Sequence, residues 1–264
     1  MGEISNMFER RVPLFTKGRI LKNEMLEELR DFPRHVTDIY FRSYADGVIS
    51  GLDLQVDQEY IMISPGIVKH QKQLLLLSEA IKVAYKANGD EQILKLHLEK
   101  AYQTEDFAGQ RVTVLLEDGC HLADCEVELA RFQLKEGAYL RSDYQSLSDF
   151  MTGYNTLNIV HQPYSGWEGQ TIHPAILRYF ARELCTYKTE NPHDLHICYQ
   201  VLNGERSMSK EALQYYFTMR LGDDVQLDGN VSIHQNLIKV LEKAKMERRR
   251  GQKASVVSRK MIVE

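Results

Sequence analysis

The apolar residues of this chain change from a period of two to a helical period near Gly137. From residue 47 to residue 134 they alternate with polar residues or form short runs: Leu52, Leu54 and Val56, then 60–63, then 74–77, each cut off by turn residues such as Pro65-Gly66. Alternation sends successive side chains to opposite faces of a strand, so this region reads as β-structure. Ile81, Val83 and Tyr85 run toward Asn88-Gly89, and Leu94, Leu96 and Leu98 follow, which makes the clearest hairpin of the sequence. Residues 112–116, the Asp118-Gly119 turn and then Val127, Leu129 and Phe132 supply another pair. No crossover helix interrupts these strands, so an antiparallel sheet or sandwich is expected.

Beyond Gly137 the spacing is helical. Ser142 and Gln145 form a capping box ahead of Leu140, Tyr144, Leu147, Met151 and Tyr154, which predicts a helix. Pro174 opens a second one with Leu177, Phe180, Ala181 and Leu184. Asn191-Pro192 opens a third with Leu195, Cys198, Tyr199 and Leu202. Ser207 or Ser209 caps a fourth carrying Leu213, Tyr216, Phe217 and Leu221, and Asn230 or Ser232 a fifth carrying Leu237, Val240, Leu241 and Ala244. At the other end, Val12-Pro13-Leu14-Phe15 reads as extended and Thr16-Lys17-Gly18 as a turn. An amphipathic segment then runs from about Lys22 to Tyr44, with Pro33 expected to kink or restart it. The fold class is α+β: an N-terminal arm and helix over 1–45, a β-sandwich over 46–136, a helical bundle over 137–250, and a basic tail over 251–264.

With 264 residues, 43% hydrophobic and 27% charged, the chain is long enough for two domains and is not disordered as a whole. No run approaches the roughly 18 apolar residues that span a bilayer, and residues 1–20 have no signal-peptide core. Four cysteines make no dense disulfide framework, so a cytoplasmic location with reduced thiols is expected. The net charge of −4 hides an asymmetry, since residues 239–260 hold nine Lys and Arg against Glu242 and Glu247. Phosphate contact is therefore confined to Arg248, Arg249 and Arg250, either on nucleic acid or on a membrane surface; a solvated helix end explains the same residues. Without interleaved aromatics to stack on bases, neither nucleic acid nor membrane is the expected partner.

The marks of common chemistries are missing: there is no phosphate loop, no dinucleotide fingerprint, no H-E-x-x-H and no G-x-S-x-G. Cys120, His121 and Cys125 form one cluster of zinc-type ligands, and Cys185, His193, His196 and Cys198 another. Neither has a zinc-site spacing; two small buried thiols beside the Asp118-Gly119 turn account for the first, and a helix placing Leu195, Cys198 and Tyr199 in the core for the second. Cys120 and His121, as neighbours on a strand, face opposite ways and make no nucleophile and base. No catalytic residue, metal or cofactor is assigned. Trp167, in the loop from His161 to Gly169, is either a binding anchor or a ring covering the core between helices.

Asp46-Gly47-Val48-Ile49-Ser50-Gly51-Leu52 and Ser64-Pro65-Gly66-Ile67-Val68, preceded by Gly18 and Leu21 at the opening of a helix, resemble the baseplate proteins of contractile injection machines and phage tails. The likeness is to the TssK family of type VI secretion baseplate connectors and to the shoulder domains of phage receptor-binding proteins, mainly over residues 12–85. It implies a non-enzymatic structural component that oligomerises, with a trimer favoured, and ties a baseplate wedge to peripheral parts within an assembled particle. The family's connectors carry a further C-terminal head that docks on a membrane complex. Here the chain ends soon after the bundle, so membrane docking is not expected. Val12, Leu14, Phe15, Leu21 and Trp167 are the expected partner contacts. Tyr144, Met151, Tyr154, Phe217 and Leu241 are candidates for self-association, with an intramolecular core as the alternative.

Overall fold

The computed structural model describes residues 10–204, 207–222 and 225–258. The chain divides into two units, Met1–Ser43 and Tyr44–Glu264. The first holds the arm and helix α1 (Asn23–Tyr40). Pro33 lies inside α1 without ending it, and no residue of the helix is buried. The expected restart at Pro33 does not occur. The missing proline amide removes one hydrogen bond, and the 18-residue helix runs on past it.

The second unit contains thirteen short strands among its described residues: β1 (Gly47–Gly51), β2 (Leu54–Val56), β3 (Tyr60–Ile63), β4 (Gly66–His70), β5 (Gln73–Leu77), β6 (Ile81–Ala84), β7 (Glu91–Leu98), β8 (Tyr102–Gln103), β9 (Ala108–Gly109), β10 (Val112–Asp118), β11 (Glu126–Gln133), β12 (Tyr164–Gly166) and β13 (Gly169–Thr171). They form sheets in the orders β13-β12-β1-β4-β5, β10-β7-β11, β2-β3-β6 and β8-β9. Helices α2 (Pro174–Thr186), α3 (Pro192–Asn203), α4 (Lys210–Leu221) and α5 (Asn230–Ser258) follow. The fold is α+β. One buried cluster runs from Val48 through Leu94, Phe132, Leu157 and Phe180 to Ala244, with no break at Gly137.

The strand runs lie where the alternation puts them, but their partners differ from the local pairing the sequence favours. The expected hairpin across Asn88-Gly89 is absent: β6 pairs with β3, while β7 pairs with β10 and β11. The amide of Gly89 binds the Leu134 carbonyl instead, so the turn joins two sheets. Likewise β10 and β11 do not pair with each other but flank β7, whose residues Gln92–Leu98 contribute five consecutive buried positions. A strand buried on both faces wants two neighbours, and this outranks the nearest turn. The five-stranded sheet is also not wholly antiparallel, because β12 from the helical half lies parallel to β1.

The helix expected from Ser142 to Tyr154 shrinks to one 3-10 turn, Leu147–Met151. Asp149 takes the Gln145 amide at 2.8 Å and the Ser146 hydroxyl at 3.2 Å, closing the chain locally. Residues 154–158 then bond to β11, with Asn155 N on Gln133 O at 3.0 Å and Asn158 N on Arg131 O at 2.8 Å. Edge pairing satisfies backbone groups that a helix would have satisfied internally.

The caps of α3 and α4 are those read from sequence: Asn191 accepts from the His193 amide and Ser209 from the Ala212 amide. The cap of α2 is His173, whose Nδ1 accepts the Ala175 amide at 3.0 Å. That role requires a neutral ring, and burial, aided by Arg178, drives the His173 pKa down to about 3 from 6.5. A histidine held neutral in the fold stabilises it fully above its unfolded value, and this contribution is lost as pH falls from about 6.5 toward about 3. His173→Asn keeps a capping acceptor without the titration. It is expected to flatten the fall of stability across this window in denaturant titrations, whereas an unchanged slope would dismiss the histidine as its source.

Candidate functional site

The sequence marks three kinds of surface, and the structure sorts them. In the first unit Val12, Leu14, Phe15 and Leu21 are all exposed, at 61, 66, 61 and 54%. Helix α1 continues the pattern. Leu26, Leu29, Phe32, Val36 and Ile39 lie along it at helical spacing and remain 44–64% exposed. An 18-residue helix whose apolar stripe meets no core is stable only by covering that stripe with something else.

Trp167 stands at the tip of the β12–β13 hairpin, not in an irregular loop as expected. Glu168 beside it takes the left-handed conformation, φ 57°, that tightens the turn. The indole is 57% exposed, with one edge against Tyr44 at 5.9 Å between ring centres. It does not cover the helical core.

Of the five residues assigned to self-association, two are corrected. Phe217 is fully buried and Leu241 6% exposed, so both belong to the intramolecular core, where the repeat of apolar residues on α4 and α5 turns them inward. Tyr144 stacks on Phe150 at 3.8 Å and donates its hydroxyl to the Leu157 carbonyl at 2.8 Å. Burial raises its pKa well above the usual phenol range. Met151 and Tyr154 are exposed, on the segment that closes the 3-10 turn.

The basic stretch is also only partly free. Arg248 donates to the Thr186 carbonyl at 3.0 Å, so it caps the end of α2, and cations at a helix C-terminus complement its dipole. Glu247 before it pairs with Arg220. Arg249 and Arg250 are exposed. Helix α5 carries the start of the 251–264 tail as far as Ser258, and the remainder lies outside the described residues.

Neither cysteine group assembles a site. Among the described residues no three or more His, Cys, Asp or Glu are placed to hold a metal ion. Cys125 Sγ approaches His97 Nδ1 at 3.9 Å, and that same nitrogen lies 3.3 Å from Glu126 Oε1. A thiol and base with an orienting carboxylate need the two opposite ring nitrogens, so this is no nucleophile triad. Glu126 instead receives the Lys95 ammonium at 2.8 Å and the Ala123 amide at 2.9 Å. Burial pushes its pKa up, but these donors outweigh burial and hold it at about 2. Cys198 is buried, donates to the Ala181 carbonyl at 3.6 Å, and has its pKa raised to about 12 by burial and by Cys185. Such a thiol is inert.

Three surface features escaped the sequence reading. Leu195, Tyr199 and Leu202 of α3 face outward, at 47, 78 and 46% exposure, while Asp194, Ile197, Cys198 and Val201 face the core. Of the expected stripe only Cys198 faces inward, because Asp194, bonded to Arg220 and Tyr216, turns its own face of α3 to the core. Leu76 of the 74–77 run is 73% exposed on β5, the edge of the five-stranded sheet. An apolar cavity of about 160 Å³ opens beside it, between β5 and β10. The four-leucine run hid this edge, since an apolar run reads as a strand buried on both faces. Finally, Tyr102 and Phe107 are exposed on the β8–β9 hairpin.

Among the described residues no helix is long and apolar enough to cross a membrane. No family model matches the chain, and no curated protein matches it. Solved structures to which the chain is similar include three of the type VI secretion system or its components. A crystal structure of TssK is 10% identical with a TM-score of 0.46, over 90% of this chain and 72% of that one. The TssK-TssF-TssG baseplate subcomplex of the type VI secretion system, seen by cryo-electron microscopy, is 9% identical with a TM-score of 0.37, over 89% of this chain and 100% of that one. The baseplate complex from the type VI secretion system is 10% identical with a TM-score of 0.27, over 89% and 100%.

Proposed function

We propose that this chain is a non-enzymatic structural component of a phage-tail-like or type VI secretion-like baseplate, joining other baseplate subunits through its N-terminal arm and α1. The observation that carries this reading is the apolar surface of the first unit. Arm and helix together expose Val12, Leu14, Phe15, Ile20 and Leu21 and then the whole α1 stripe, with no buried residue in the helix. Contiguous apolar surface on this scale marks a surface meant for a protein partner. The resemblance around Gly47–Gly51 and Gly66 supplies the class of assembly, in which the chain belongs to a particle and self-associates, as a trimer by preference. On the second unit, Trp167, Met151 and Tyr154 are the exposed residues that extend the contact surface.

The rival reading, nucleic-acid binding through Arg248, Arg249 and Arg250, is weakened by the engagement of Arg248 with Thr186 and of neighbouring Glu247 with Arg220. Deleting residues 1–20 is expected to leave the second unit folded, with an unchanged melting temperature, while removing the chain from the complex with which it co-purifies. Light scattering on the eluted complex checks this, and assembly at full mass without the arm would refute the reading.

A further inference from the structure

We propose that the arm of one copy docks as an added strand along the β5 edge of a second copy, over the apolar slot between β5 and β10. The inference rests on the reading of the arm as a contact segment and names what it contacts.

Among the described residues strand β5 has a neighbour, β4, on one side only. Its outer side is a row of backbone donors and acceptors that an extended peptide can complete, and a bare edge with exposed leucine invites such pairing. Beside it the slot of about 160 Å³ is lined mainly by apolar side chains, among them Leu52, Val68, Leu75, Leu98 and Val112, with Gln110 the one polar side chain in its lining. Leu76, 73% exposed, stands on the same strand. Charged side chains keep most sheet edges from pairing, but residues 73–77, Gln-Leu-Leu-Leu-Leu, hold none.

The arm has the matching chemistry. Residues 10–22 contain Arg10, Arg11, Lys17, Arg19 and Lys22 and no Asp or Glu. Residues 44–238 hold 27 Asp and Glu against 16 Lys and Arg, so the body of a second copy attracts this segment. The β8–β9 hairpin, which joins the slot-lining ends of β7 and β10, carries Glu105 and Asp106 into solvent. Lys72 and Lys82, flanking β5, act against the attraction at short range. Proline fits an added edge strand when its missing amide points away from the ladder. With Pro13 turned outward, Val12 and Leu14 present their amides to β5, and their side chains share one face. Apolar contact holds the strand in place, while charge speeds its arrival.

The test places a benzoylphenylalanine photo-crosslinker at position 14 of the whole chain and mixes ¹⁴N-labelled with ¹⁵N-labelled protein before irradiation. The expected products are mixed-isotope crosslinks from position 14 to residues 73–77 or 110–114. In a Leu76→Lys background their yield should fall about tenfold, the equivalent of ~1.4 kcal/mol. Leu76 is exposed, so that variant should keep the melting temperature of the parent. Same-isotope crosslinks alone would assign the slot to the chain's own arm and overturn the proposal. So would crosslinks confined to other surfaces, to a different protein in the assembly, or an absence of crosslinks. If crosslinks to the slot are absent and the 1–20 deletion still frees the chain from its complex, this inference falls and the proposed function stands.

Discussion

Replacing Asp194 by alanine should lower the stability of the protein by about 3–5 kcal/mol, because it strands a buried guanidinium. Asp194 is fully buried at the start of α3 and is held by three side chains. Its carboxylate accepts Arg220 Nε at 2.9 and 3.1 Å, the Tyr216 hydroxyl at 2.8 Å and the Thr189 hydroxyl at 2.8 Å. The rest of the Arg220 guanidinium forks onto Glu247 of α5, at 3.0 and 2.5 Å, and Lys243 donates to the Arg220 carbonyl at 2.9 Å. Helices α3, α4 and α5 are thereby tied through one cation. Taking two charges out of water is costly, and the network stabilises the fold only while every group is satisfied. Removing the aspartate leaves Arg220 with half its partners and the Tyr216 hydroxyl with none of those named here. Thr189→Val loses the bond to Asp194 and the acceptor of the Asn191 amide, and is expected to cost about 1–2 kcal/mol. Denaturant unfolding of the two variants checks the order, and an Asp194→Ala loss no greater than that of Thr189→Val would contradict this account of the bundle.

The second large effect is expected at Gly51. In the β1–β4 ladder Gly51 lies opposite Gly66, and the two backbones cross with no room between them. Gly51 has φ 69°, and a Cβ there would fall on the Pro65 carbonyl oxygen. A Cβ on Gly66 would lie 2.6 Å from the Leu52 amide nitrogen. At Gly51 every atom in the way is backbone, so no rotamer change relieves it. Gly51→Ala therefore combines a left-handed conformation with steric overlap, and a loss of about 3 kcal/mol or more is expected. Thermal unfolding of the variant measures this. A substitution tolerated within about 0.5 kcal/mol, as is usual for surface sites, would show that the crossing is looser than the structure has it. Gly18 and Gly119, with positive φ and open space around them, should tolerate alanine better than Gly51.

This crossing explains what made the sequence legible. The Gly47-to-Leu52 and Ser64-to-Val68 stretches resemble a family because a close approach of two backbones admits few residues, and such constraints are written locally. The helices α2 to α5 were legible for a similar reason: Pro174, Asn191-Pro192 and Ser209 mark their starts within a few residues of the apolar stripes they serve. Strand partners were not legible. Ile81 to Tyr85 and Leu94 to Leu98 look like a hairpin, but β7 is buried on both faces and takes β10 and β11 from farther along the chain. Pairing of this kind is decided by which faces must be covered, and no local residue records it. Asp194 illustrates the same limit on a helix. Its partner Arg220 lies 26 residues away, so nothing near Asp194 in the sequence marks this face of α3 as the buried one. The arm and α1 stripe were visible as apolar residues from the start. What the structure adds is that they stay exposed.

The central claim is that the chain works by assembly through its apolar N-terminal unit and not by catalysis or by binding nucleic acid. The most direct measurement is the molar mass of the purified whole chain by light scattering, at low and high salt, with absorbance recorded at 260 and 280 nm. The account expects a multiple of the single-chain mass that persists at high salt and carries no nucleic acid. A single-chain mass together with nucleic acid that salt removes would contradict it and shift the function to the basic residues around Arg249.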